Sequence, residues 1–321
     1  MNAALYDEAG GYYKRSDLKR WGREGDYRTS PERSQLFAAT FARYFARLYD
    51  ELKQPSQWTI VEAGGGSGDF KAGVLRTLRE QFPQVFSATR YIPIETGEEL
   101  DQLPSIKPGI FFSNELLDAF PVHRLIQTED GLAELYVAVD VNDKFIWLNG
   151  QVSTPALLEF CREYSVELED EQIIEVNLEI DNWVESVATK LESGYLITVD
   201  YGAESCDLYE MSLRPQGTLR AFSRHDFIDD VLAQPGDYDI TSSVNWSQVQ
   251  RAGARFGFTT VEYAQQDQFL LKAGLLDQLM REMSRLTSEA DKLLLTAGAR
   301  DMILPGGMGA SFQVLVQKRG F

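Results

Sequence analysis

The stretch that most constrains this chain is VEAGGGSGDF, residues 61–70, which sets Gly64, Gly66 and Gly68 between two apolar segments of different period. Upstream, WTIVEA at 58–63 is a short β-branched and aromatic run of the kind that forms a buried strand. Downstream, Phe70, Val74, Leu75, Leu78 and Phe82 recur at helical spacing, and another strand-like run follows at 90–95. Strand, glycine turn, helix and strand make a βαβ unit, and such units build parallel, doubly wound sheets. Glycines at that turn let the backbone bend tightly and approach a ligand, while the helix N-terminus behind them offers N–H groups to an anion. A dinucleotide fingerprint would need a third glycine at 69 or 67, where the chain has Asp69 and Ser67. A turn holding no ligand satisfies the pattern too. Glu95, closing the second strand, can accept hydrogen bonds from the two hydroxyls of a ribose; a solvated strand-end glutamate is the plain alternative.

Further strand-like runs lie at 109–114, 195–201, 258–263 and 312–317, and 34–52 is a strongly periodic helix behind Ser30-Pro31-Glu32. Residues 126–190 interrupt the α/β alternation. There, 132–141 and 144–150 read as a β-hairpin turning through Asn142-Asp143, followed by two helical stretches. The expected fold is therefore α/β: a mostly parallel, doubly wound sheet with an N-terminal helical extension and an inserted α+β subdomain. Its expected parts are 1–55 (helical extension and lid), 56–125 (first half of the core), 126–190 (acidic insertion) and 191–321 (second half of the core).

The formal net charge is -18 over 321 residues, which disfavours sequence-independent attraction to nucleic acid or to an anionic membrane. The excess is local. Residues 129–185 hold 15 acidic and 2 basic side chains, a net of -13, whereas 14–47 hold 9 basic and 4 acidic, a net of +5. A solvated acidic face and a docking surface for a basic partner both fit that pattern. Cys161 and Cys206 lack any C-x-x-C spacing and His123 and His225 are far apart, so no metal site is expected. With no secretory or transit signature and no long apolar run, the expected setting is a reducing, cytoplasm-like compartment.

Several further segments resemble the MidA-like family of class I S-adenosylmethionine-dependent methyltransferases, whose relatives include mitochondrial complex I assembly factors that methylate a protein arginine. EGDYRTSPERSQLF at 24–37 is similar to that family's N-terminal signature, FFSNELLDAFPVHRL at 111–125 to its N-E-x-x-D-x-x-P-V-H segment, and VDYG at 199–202 to its motif after the fifth core strand. GTLRAFSRH at 217–225, DITSSVNW at 239–246 and QFLLKAGL at 268–275 follow in the family's order. The resemblance implies S-adenosylmethionine as cofactor, its methionine carboxylate on the glycine turn. Glu62, Gly64, Gly66, Gly68, Glu95 and Asn114 would bind it, with Asp26, Thr29 and Ser30 on a rim that also takes in Pro31 and Glu32. It also implies a protein acceptor with a basic or arginine-bearing segment. Family members form dimers, yet no apolar stripe here identifies an interface.

Two departures stand out. Only 96–108 separate the second strand from the next, too short for a helix, a full third core strand and both connections, so that strand should be short or absent. Arg33 stands where relatives usually carry an apolar residue.

For an arginine acceptor, carboxylates have to offset the repulsion between guanidinium and sulfonium. Glu115 and Asp118, spaced i, i+3, would share one face if a helical turn follows the strand ending at Asn114. Asn114, His123 and Asp200 are the other catalytic candidates. Asp118 as a helix cap, Glu115 as a solvated residue and His123 as a structural histidine are the alternatives. A non-catalytic assembly chaperone, a small-molecule methyltransferase and an NAD-dependent oxidoreductase are the competing functions.

Overall fold

The computed structural model describes residues 1–15, 17–18, 35–95, 97–223, 226–304 and 311–320. The expected rim residues Asp26, Thr29, Ser30, Pro31 and Glu32, with Arg33 and His225, lie outside them. In chain order the strands are β1 (Trp58–Ala63), β2 (Thr89–Ile94), β3 (Gly109–Asn114), β4 (His123–Thr128), β5 (Gly131–Val139), β6 (Phe145–Gly150), β7 (Ile173–Val176), β8 (Gly194–Ala203), β9 (Arg220–Ser223), β10 (Asp226–Ile228), β11 (Asp239–Thr241), β12 (Val244–Asn245), β13 (Thr259–Gln265) and β14 (Phe312–Arg319). Three helices matter most below: α1 (Asn2–Tyr6), α2 (Gln35–Glu51) and α3 (Asp69–Gln81).

Contacts divide the chain into two compact units. One gathers 35–116, 185–201 and 253 onwards; the other gathers the described N-terminal residues, 117–184 and 202–252. This grouping differs from the four consecutive parts read from the sequence: α1 and residues 202–252 go with the insertion, and α2 goes with the core.

The first unit is built on a sheet in the order β13-β14-β8-β3-β1-β2. β2, β1, β3 and β8 run parallel, and β14 and β13 close the sheet in antiparallel fashion. Strands covered on both faces read as continuous apolar runs rather than alternating ones, and β3 (GIFFSN) is buried along all but its last residue. α2 buries Phe37, Phe41, Phe45, Leu48 and Tyr49 and packs its aromatic face on α3 and β3: the rings of Phe41 and Phe112 are 5.0 Å apart, and Phe70 stacks on Phe112 at 4.4 Å. As the short spacing requires, residues 97–102 form a helix where a third core strand would otherwise lie, and β2 is the sheet edge among the described residues.

The second unit carries two small sheets. β6-β5-β4-β7 is antiparallel throughout, and the expected hairpin β5–β6 forms but turns through three residues, Val141, Asn142 and Asp143, rather than through Asn142-Asp143 alone: the Asp140 N–H donates to Lys144 O at 2.8 Å, Asp143 is in the left-handed region, and the Asp140 carboxylate accepts from the N–H groups of Asn142 and Lys144. The helix Pro155–Glu163, capped by the Thr154 hydroxyl and started by proline, buries Leu157 and Phe160 against Leu125, Ile174 and Val176. In the other sheet, β10-β9-β11, Ala221 and Ile240 pack on Leu5 and Tyr12, so the N-terminal residues form α1 and part of a core.

Candidate active site

Four parallel neighbours, β2, β1, β3 and β8, end on the same edge of the sheet, and each end delivers a candidate residue: Glu95, the glycine turn, Asn114 with Glu115, and Asp200. Open α/β sheets take their ligands at this carboxyl edge.

At the end of β1 the chain enters the left-handed region at Gly64, Gly66 and Gly68. A side chain at Gly64 would be strained by its φ of 72° and would also sit 3.2 Å from Leu116 Cδ1. The Gly66 N–H donates to Glu95 Oε1 at 3.0 Å, which ties the turn to the end of β2, and the Glu95 N–H donates in turn to Glu99 Oε2. α3 begins at Asp69 behind Gly68, which has no side chain to cap it; the Asp69 N–H donates to Ser67 Oγ at 3.4 Å, and the helix N-terminus opens onto the turn. A Cβ on Gly65 would come within 3.5 Å of both Glu62 and Glu95. The cradle is one that a side chain would fill, and its donors and acids suit a ligand with a carboxylate at one end and a ribose at the other.

Glu62 is buried inside β1, where its carboxylate accepts the Tyr91 hydroxyl at 2.8 Å. Burial pushes its pKa up to about 7, the nearby Glu95 charge adds to the rise, and the Tyr91 hydrogen bond and Lys71 oppose it. A cation arriving here would favour the ionised form.

On β3, Asn114 Nδ2 donates to Glu115 Oε1 at 3.0 Å, while Asn114 Oδ1 and the fully buried Ser113 Oγ have no hydrogen-bond partner. Glu115 takes a φ of 54°, uncommon for a residue with a side chain, and its N–H donates to Val199 O on β8 at 2.9 Å. Asp200 is fully buried at the next position of β8 and accepts from the Tyr201 N–H at 2.9 Å. Strain and unpartnered polar atoms thus collect at the carboxyl edge of the sheet.

The model of a family described as "Putative S-adenosyl-L-methionine-dependent methyltransferase" matches residues 40–106 and 98–264. The chain belongs to this family. It is 24% identical to the protein arginine methyltransferase NDUFAF7 of Mus musculus, over 97% of this chain and 78% of the relative, and 24% identical to that of Homo sapiens over 97% and 77%. Among solved structures, a protein from Burkholderia thailandensis with S-adenosyl-homocysteine bound superposes with a TM-score of 0.84 at 27% identity, covering 99% of this chain and 86% of that one. This chain is an S-adenosylmethionine-dependent methyltransferase with the class I fold, and the cradle at Gly64–Gly68 has the chemistry to hold that cofactor.

The methyltransferase's remaining candidates fall in the second unit. No helix forms over 115–118, contrary to the expected turn: the left-handed backbone of Glu115 sends the chain out of the sheet, and Leu117–Phe120 closes a turn ahead of Pro121. Asp118 is buried, and its backbone oxygen accepts from the Ser242 N–H at 3.0 Å. Tyr6 donates to Ala119 O at 2.9 Å, and its pKa is raised well above the usual tyrosine range by burial, then by Asp118 and Asp239. Tyr13, stacked on Tyr6, donates to Asp239 Oδ1 at 2.8 Å. Sequence reasoning gave no role to Tyr6, Tyr13 or Asp239; their separation from Asp118 by more than a hundred residues hides the cluster. His123 opens β4 with Nδ1 2.7 Å from the buried Glu134 carboxylate, and that pairing accounts for it structurally. Tyr91, to which the sequence assigned no role at the site, is the donor that holds Glu62.

Proposed function

We propose that this methyltransferase modifies an arginine of a protein substrate in a reducing, cytoplasm-like compartment; the family resemblance points to a respiratory-complex subunit as the acceptor. Bound at the glycine turn, S-adenosylmethionine supplies a methyl on a cationic sulfonium. A protonated guanidinium brought to within ~4 Å of that cation is repelled by roughly 4 kcal/mol at an effective dielectric near 20. Carboxylates near the reacting groups offset this, and Glu115 and Asp200 stand on adjacent strand ends at the ligand edge.

The observation that carries the reading is the strained, anchored backbone of Glu115. Its N–H is pinned to β8 and its carboxylate accepts from the Asn114 amide, so the acid is oriented before substrate arrives. Pre-orientation of this kind lowers the barrier of an in-line displacement that needs alignment more than proton transfer. The names of the NDUFAF7 relatives add support for arginine as acceptor. Replacing Glu115 by alanine should lower methyl transfer to arginine by at least about tenfold to a hundredfold, with S-adenosyl-homocysteine affinity retained. Turnover equal to wild type would refute the guanidinium role. Methyl label recovered on a small molecule and never on arginine would replace the acceptor class.

A further inference from the structure

The sheet β6-β5-β4-β7 has two edges, and they are treated differently. Outside β7, Gln216 bridges Ile173, and Glu175 accepts from both the N–H and the hydroxyl of Thr218, so that edge is closed by the chain itself. β6 pairs only with β5 among the described residues. Its sequence, FIWLNG, has no proline and no charge, the devices that ordinarily blunt an edge strand.

Most of the exposed strand residues of the hairpin are also apolar. On one face Tyr136 pairs with Leu148 and Ala138 with Ile146; on the other Val137 pairs with Trp147 and Val139 with Phe145. Phe145, Ile146 and Leu148 are 45%, 40% and 55% exposed, and Val141 at the turn is 99% exposed. An open edge flanked by apolar side chains on both faces is a template for an added strand: main-chain hydrogen bonds supply affinity and alternate side chains supply selectivity.

Charge selects the occupant. Residues 129–185, which include β6, carry 15 acidic and 2 basic side chains, and the turns at the two ends of β5 expose Glu129, Asp130 and Asp143. A second copy would set this acid excess against itself, whereas a basic segment would neutralise it. We propose that the free edge of β6 takes an extended basic segment of the protein substrate as a fifth strand, its apolar residues packing on Phe145, Ile146 and Leu148. The proposal rests on the protein-substrate reading above and adds the surface that holds the substrate.

The test uses a decapeptide of alternating arginine and valine with the full chain. Hydrogen exchange of the amides in 145–150 should slow about tenfold on adding it and should not respond to a glutamate–valine decapeptide. Ile146→Lys with Leu148→Lys should weaken the arginine–valine peptide about tenfold in fluorescence anisotropy. Calorimetry with S-adenosyl-homocysteine shows that the double variant is folded. Unslowed exchange at β6, or equal affinity in the variant, overturns the proposal. So does protection of β6 without peptide that grows with protein concentration alongside a dimer in sedimentation velocity, which would assign the edge to a second copy. Transfer of labelled methyl to arginine is read separately, so a chain that binds the peptide at β6 but methylates no arginine contradicts the acceptor reading and leaves the edge standing.

Discussion

β3 and β6 are six residues each and nearly alike in composition, GIFFSN against FIWLNG, yet β3 is buried along almost its whole length and β6 is mostly exposed. The difference lies in neighbours. β3 sits between β1 and β8 with helices on the sheet, so every apolar residue finds a covering surface; β6 is an edge with one neighbour. An apolar run therefore says that a segment seeks cover, and topology decides whether the chain itself provides it.

The sharpest way to break this comparison is to truncate matching aromatics. Phe112→Ala should cost about 3–5 kcal/mol in urea unfolding, because its ring stacks on Phe70 and packs against Phe41 and Phe45. Phe145→Ala should cost no more than about 1 kcal/mol. Comparable losses would mean that β6 is covered in solution by something other than the chain described here.

Burial that stabilises Phe112 should penalise a charge on the adjoining strand. Glu62 has its pKa raised to about 7, so the folded chain holds the proton more tightly than the unfolded one. Stability from this group is complete below the ordinary carboxylate range and is lost as pH rises through about 7, a change of up to roughly 3 kcal/mol. Glu62→Gln should flatten that fall between pH 5 and pH 8; an unaltered pH profile would place the titration elsewhere.

A smaller effect is expected at the turn. Gly64→Ala forces a side chain into a left-handed backbone beside Leu116 and should cost about 1–2 kcal/mol, with weaker cofactor binding. Full stability with full affinity would show that the turn can relax.

Much of the core was legible because its signals are local. The glycine turn, the strand ends at Glu95 and Asn114 and the loss of a third strand all follow from spacing within the βαβ unit. The path after Asn114 was not: glutamate carries no sign that it will adopt a positive φ, so a helical turn was the natural expectation. The tyrosines around Asp118 were hidden for a different reason, since Tyr6 and Tyr13 reach Ala119 and Asp239 only once the chain has folded. Short strands such as β7 and β9 to β11 have too few residues to show a period at all.

The most direct test of the account is a calorimetric titration of S-adenosyl-homocysteine into the wild type and into Glu95→Ala. The cradle requires the wild type to bind and the variant to lose about tenfold or more, which is about 1.4 kcal/mol, because Glu95 ties down Gly66 and, in the proposed cradle, would accept from the ribose hydroxyls. Equal affinities in the two proteins would contradict the placement of the cofactor on the glycine turn.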